Sequence, residues 1–137
     1  MTTFTDKPTE ILGRAKALFG KQVDALIRQE HKVAELIQNV GKKLAKLAEH
    51  PKVKVIIEPV SIFIRMVKAH FKGQYKISVS SLGTIVLALV YFLSPIDLIP
   101  DFLGFFGFAD DITVVLAVYA KLKDEVEQFL EWEQTQR

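Results

Sequence analysis

Residues 77 to 96, ISVSSLGTIVLALVYFLSPI, run for twenty positions without a charge, and YFLSPIDLIPDFLGFFGFADD (91 to 111) then sets four aspartates and two prolines into the same apolar region. Twenty uncharged residues meet the length rule for a bilayer-spanning helix. The strictly apolar heart is shorter, because Ser78, Ser80 and Ser81 dilute one end and Ser94-Pro95 closes the other, leaving about Leu82 to Leu93 as the expected helix. A buried helix of a globular domain has the same length. After Asp110-Asp111 only ITVVLAVYA precedes Lys121. Nine helical residues reach about 14 Å, far short of a hydrocarbon core of about 30 Å. Three arrangements fit: one spanning helix with a packed partner, a shallow hairpin entering one leaflet, or a bundle that buries both blocks.

The acidic turn reads residue by residue as helix-end chemistry. Ser94 is placed to cap a short turn with Pro95 in its first position and Asp97 near free amides. Pro100 stops that turn, and Asp101 is placed to accept from amides of the next one. Gly104 and Gly107 permit bends among Phe102, Phe105, Phe106 and Phe108. Asp110 and Asp111 are expected just ahead of the final helix, where unpaired amides and the positive dipole end favour carboxylates.

The competing reading gathers Asp97, Asp101, Asp110 and Asp111 around a hard cation such as magnesium or calcium, as an ion-binding domain or a metal-dependent enzyme. The spacing is not that of an EF-hand loop, which needs alternating acids and a glutamate at its twelfth position. Other chemistry is thinly represented. His31, His50 and His70 are scattered without an H-E-x-x-H pair, and neither a phosphate-binding loop nor a Gly-x-Ser-x-Gly elbow occurs. The chain has no cysteine, which removes thiolate nucleophiles and cysteine-based metal sites. No catalytic residue and no cofactor is expected. Tyr91, Phe92 and Tyr119 fall at core spacing, and Trp132 is expected half-buried on the last helix.

Charge divides the chain. Residues 1 to 76 carry 15 Lys/Arg and 7 Asp/Glu, against 3 and 9 in residues 77 to 137, so a formal +2 conceals +8 and −6. A basic half of this kind suits anionic lipid, and no zinc-finger, RNP-type or Gly-x-x-Gly pattern points to nucleic acid. Within it Leu12, Phe19, Leu26, Val33, Val40 and Leu47 recur every seventh residue, with Val23, Ile37 and Leu44 four after three of them. That stripe predicts helix over residues 9 to 48, starting beside Asp6 and Pro8, with a break at Gly20 or Gly41 and a stop at His50-Pro51. Its 3.5-residue repeat suits self-association. Val53, Val55 and Ile57 alternate before Pro59, which reads as an extended link or frayed helix. Val60, Phe63, Ile64, Val67 and Phe71, flanked by Arg65, Lys68 and Lys72 and stopped by Gly73, form a basic amphipathic helix.

At Ser94-Pro95-Ile96-Asp97-Leu98-Ile99-Pro100-Asp101, the glycines after it and the paired acids at 110 and 111, the sequence resembles the YkvA-like family of proteins of unknown function. The resemblance covers about residues 60 to 122. Its recurrent residues fall on Ser94, Pro95, Asp97, Pro100, Asp101, Gly107, Asp110 and Asp111, none with a catalytic role to transfer. It implies a small bacterial helical protein associated with the membrane and without established activity. The expected architecture is all-α: a basic amphipathic arm (1 to 50) followed by a domain (51 to 137) with a helical hairpin around the Pro/Asp turn. The expected role is a non-enzymatic interaction or scaffold protein on the cytoplasmic face of the inner membrane, integral or peripheral. The polar start MTTFTDKPTE lacks the layout of a cleaved signal peptide.

Overall fold

Six helices make up most of what the computed structural model describes, residues 8–51, 53–93 and 104–136: α1 (Pro8–Leu26), α2 (Glu30–Leu47), α3 (Lys54–Phe71), α4 (Val79–Leu93), α5 (Gly104–Lys121) and α6 (Lys123–Thr135). No strand occurs among the described residues. The all-helical class follows from the periodicities above. Pro8 occupies the first position of α1, where its missing N–H costs nothing.

The seven-residue stripe faces the core. Phe19, Val23, Val33, Ile37 and Val40 are buried, and Leu12, Leu26, Leu44 and Leu47 pack against the same cluster. The break falls at neither glycine: Gly20 and Gly41 sit inside helices, and the chain turns at residues 27 to 29, where Gln29 is extended (φ −126°, ψ 98°). A glycine costs about 1 kcal/mol within a helix, less than the burial of the apolar side chains around it contributes. The turn lets α1 pack on α4 and α5 while α2 packs on α4 and α3. The two helices expected as an arm therefore contribute to one core with the rest. The described residues of their stripe lie in that core or pack against it.

Residues 54 to 57, expected as an extended link or frayed helix, are the first turn of α3. Val53, Ile56, Val60, Phe63 and Val67 alternate by three and four residues and are all buried, a helical spacing that overrides the two-residue alternation of Val53, Val55 and Ile57. Pro59 lies inside α3, buried, near enough to the start that only the Val55 carbonyl loses its usual partner. Gly73 ends the helix as expected, in the left-handed region at φ +75°. Its N–H reaches the His70 carbonyl at 3.0 Å and the Gln74 N–H reaches Ala69 at 2.9 Å, the paired bonds of a Schellman stop. Because a Cβ at Gly73 meets nothing within 4 Å, Gly73→Ala is expected to cost only the backbone penalty, about 1–2 kcal/mol, in a urea or thermal melt.

The polar residues ahead of α4 do more than dilute it. Ser78 Oγ accepts the Ser81 N–H at 3.2 Å and the Ser78 carbonyl accepts from Leu82 at 2.8 Å, so Ser78 is an N-cap. His70 Nδ1 accepts the Ile77 N–H at 3.1 Å and satisfies the loop before it. From Ile85 to Val90 every residue is buried: Ile85, Val86, Ala88 and Leu89 are fully enclosed, and α1, α2, α3 and α5 all contact α4. A helix apolar all round is buried in protein or in lipid. Here protein supplies the cover. Among the described residues no helix is long and apolar enough to cross a membrane.

Aromatic contacts tie the periphery to this centre. The Phe19 and Tyr91 rings meet edge to face at 5.8 Å, and Phe63 reaches Tyr119 at 6.0 Å. Tyr75, Phe129 and Trp132 form a cluster with centroids 5.0–5.6 Å apart that docks α6 on the loop after α3. Arg65 adds a two-pronged bond to Glu133 at 2.8 and 3.1 Å. Both partners are partly solvated, so the pair contributes at most about 1 kcal/mol.

Candidate functional site

The hairpin expected around the Pro/Asp turn is present in its two arms: α4 and α5 pack against each other along the core. Ser94, Pro95, Asp97, Pro100 and Asp101 lie outside the described residues. Gly104, Gly107, Asp110 and Asp111 are described in backbone only, and all four are helical. This corrects the placement of the paired acids. α5 begins at Gly104, so Asp110 and Asp111 are its seventh and eighth residues and do not precede it. Only the first four amides of a helix lack an internal partner, which leaves none at positions seven and eight for a capping carboxylate. Gly104 and Gly107 both belong to the same helix. Among the described residues no group of three or more metal-ligating side chains gathers, and the four aspartates of the cation reading fall outside that comparison.

What the fold assembles, and the linear pattern does not announce, is a groove of about 800 Å³ between α1, α4 and α5. Its walls carry Leu12, Val23, Ile27, Leu87 and Ala117, and its width comes from residues without bulk: Gly13 and Gly20 on α1, Gly83 on α4 and Ala120 on α5. A Cβ built on Gly13 or Gly83 meets nothing within 4 Å, so both glycines border open space. Lys16 and Asp24 of α1 and Lys121 of α5 supply charge at the edges. The one sequence signal for this wall was the seven-residue interval from Gly13 to Gly20, two turns along one helix face.

Two polar contacts fix the ends of α4. Ser81, buried, donates its hydroxyl to Glu125 Oε1 at 2.5 Å, linking α4 to α6. Burial first, and then the neighbouring Glu125 carboxylate, push the Tyr75 phenol above its ordinary value. The folded state thus favours the neutral phenol; the associated stability is complete below the ordinary tyrosine value and is lost as pH rises through the raised one. At the other end Lys43 donates to the Phe92 carbonyl and lies 4.6 Å from the centroid of that ring. His70 is engaged by the Ile77 amide and stacks edge-on against Phe71 at 5.2 Å, a structural arrangement.

One comparison with known proteins falls on the two arms of the hairpin. A family model described as protein of unknown function (DUF1232) matches residues 81–117, from the buried Ser81 of α4 through the turn to Ala117 of α5. The "Uncharacterized membrane protein YkvA" of Bacillus subtilis (strain 168) is 31% identical over 80 residues, which is 58% of this chain and 76% of that protein. No solved structure matches the chain.

Proposed function

Since the chain belongs to the YkvA-like DUF1232 family, a family of uncharacterised membrane proteins, we propose that it is a non-enzymatic interaction or scaffold protein that docks onto anionic lipid at the cytoplasmic leaflet. The observation that carries this reading is the division of labour among its helices. α4 is the segment apolar enough to invite a bilayer, and its faces are occupied by α1, α2, α3 and α5. Contact with a membrane then falls to the outer surface. Between Arg14 and Lys76 that surface exposes twelve Lys/Arg side chains against five Asp/Glu, spread over α1, α2, α3 and the loop before α4.

Each lysine or arginine brought to an anionic surface contributes about 1 kcal/mol. Three or four engaged at once strengthen binding by roughly a hundredfold or more over neutral lipid, at about 1.4 kcal/mol per tenfold. The interaction is screened as the Debye length falls from about 8 Å at physiological salt to about 3 Å at 1 M. Sedimentation with vesicles tests this: pelleting with phosphatidylglycerol-containing vesicles, little with phosphatidylcholine alone, and release at 1 M salt are expected. On cell membranes a carbonate wash is expected to release the protein. Retention after carbonate contradicts surface docking, and indifference to both vesicle types contradicts the lipid partner.

A further inference from the structure

The groove between α1, α4 and α5 points to a specific occupant, and we propose that it binds one acyl chain of an anionic membrane lipid, with the headgroup phosphate held at Lys16 and Lys121. This rests on the membrane reading above and adds a defined lipid site to a diffuse basic surface. At about 800 Å³ the groove falls within the roughly 300–1,000 Å³ of small-molecule sites. Its α1 wall runs from Leu12 to Asp24, twelve helical steps or about 18 Å. That exceeds the depth of about 15 Å that a chain fills in one leaflet, half of a hydrocarbon core of about 30 Å.

Chemistry selects the kind of lipid. The rim holds two lysines and one carboxylate, Asp24, and among the described residues no ion pair engages either lysine. A net positive, uncommitted rim beside an apolar floor matches an anionic amphiphile and disfavours a neutral one. Val79, on the same lining, is 74% exposed, a large apolar side chain that an acyl chain would cover.

Gly13 and Gly83 make the test clean, because side chains added there enter the groove and not the core. The full chain is titrated with lysophosphatidylglycerol below its micelle concentration, with lysophosphatidylcholine as the neutral counterpart, and complexes are counted by native mass spectrometry. A saturable one-to-one complex with the anionic lipid is expected, at least tenfold weaker with lysophosphatidylcholine or in Lys16→Ala/Lys121→Ala. Gly83→Leu is expected to lose at least tenfold in affinity while melting no lower than wild type. Equal binding by Gly83→Leu, or binding without saturation, overturns the proposal. So does a wild-type dimer that Gly83→Leu converts to monomer, which assigns the groove to a second copy. Vesicle sedimentation of Gly83→Leu separates this site from the basic surface: salt-sensitive pelleting persists if only the groove assignment fails.

Discussion

Ile85→Asp is expected to leave the protein unfolded in plain buffer, whereas Val79→Asp, six residues earlier, is expected to change stability by no more than about 0.5 kcal/mol. Ile85 is fully buried at the centre of α4, surrounded by other helices, while Val79 at its start is 74% exposed. Removing the isoleucine side chain costs about 2–5 kcal/mol through lost burial and the space left behind. An unpaired carboxylate in that position adds several kcal/mol more, and among the described residues no buried basic side chain is there to meet it. The total is comparable with the entire 5–15 kcal/mol by which a domain is held folded. Circular dichroism of both variants at equal concentration checks the expectation. A folded Ile85→Asp with the wild-type melting point means that α4 does not sit at the centre of a protein core.

Phe129→Ala is expected to cost about 3–5 kcal/mol and to release the end of α6. Phe129 is 1% exposed and stands between Tyr75 at 5.2 Å and Trp132 at 5.6 Å. Aromatic pairs add about 0.5–1.5 kcal/mol beyond the area that they bury. The chain contains a single tryptophan, so the emission of Trp132 reports on this cluster alone. In urea, the variant is expected to shift its Trp132 emission to the red before the bulk of the helical signal is lost, whereas in wild type the two transitions coincide. Coincident transitions at an unchanged midpoint in the variant mean that α6 is not anchored through Phe129.

The limits of the linear pattern are visible in particular residues. Val53, Val55 and Ile57 look like a strand when taken alone, and only the continuation through Val60, Phe63 and Val67 reveals the helical face that α3 buries. The break at residues 27 to 29 has no glycine or proline to mark it, since it is set by the two directions from which α1 and α2 meet α4. Asp110-Asp111 looked like a helix start because a pair of acids commonly precedes one, yet the glycine- and phenylalanine-rich segment before them joins the same helix. The Pro/Asp turn was legible as a motif, and it lies at the middle of the segment shared with the family. The groove was not legible, because its α1 wall is more than fifty residues away in the chain from the α4 and α5 walls that face it.

Residue order by itself determined that the chain is helical, where its apolar faces lie, that its positive charge is concentrated in the first half, and which motif carries the family signature. Tertiary structure alone decided what covers the most apolar helix. Periodicity shows that a helix has an apolar surface, but lipid tails and protein interiors are similarly apolar and leave the same mark on a sequence. The choice between them rests on contacts from α1, α2, α3 and α5 that no local pattern encodes.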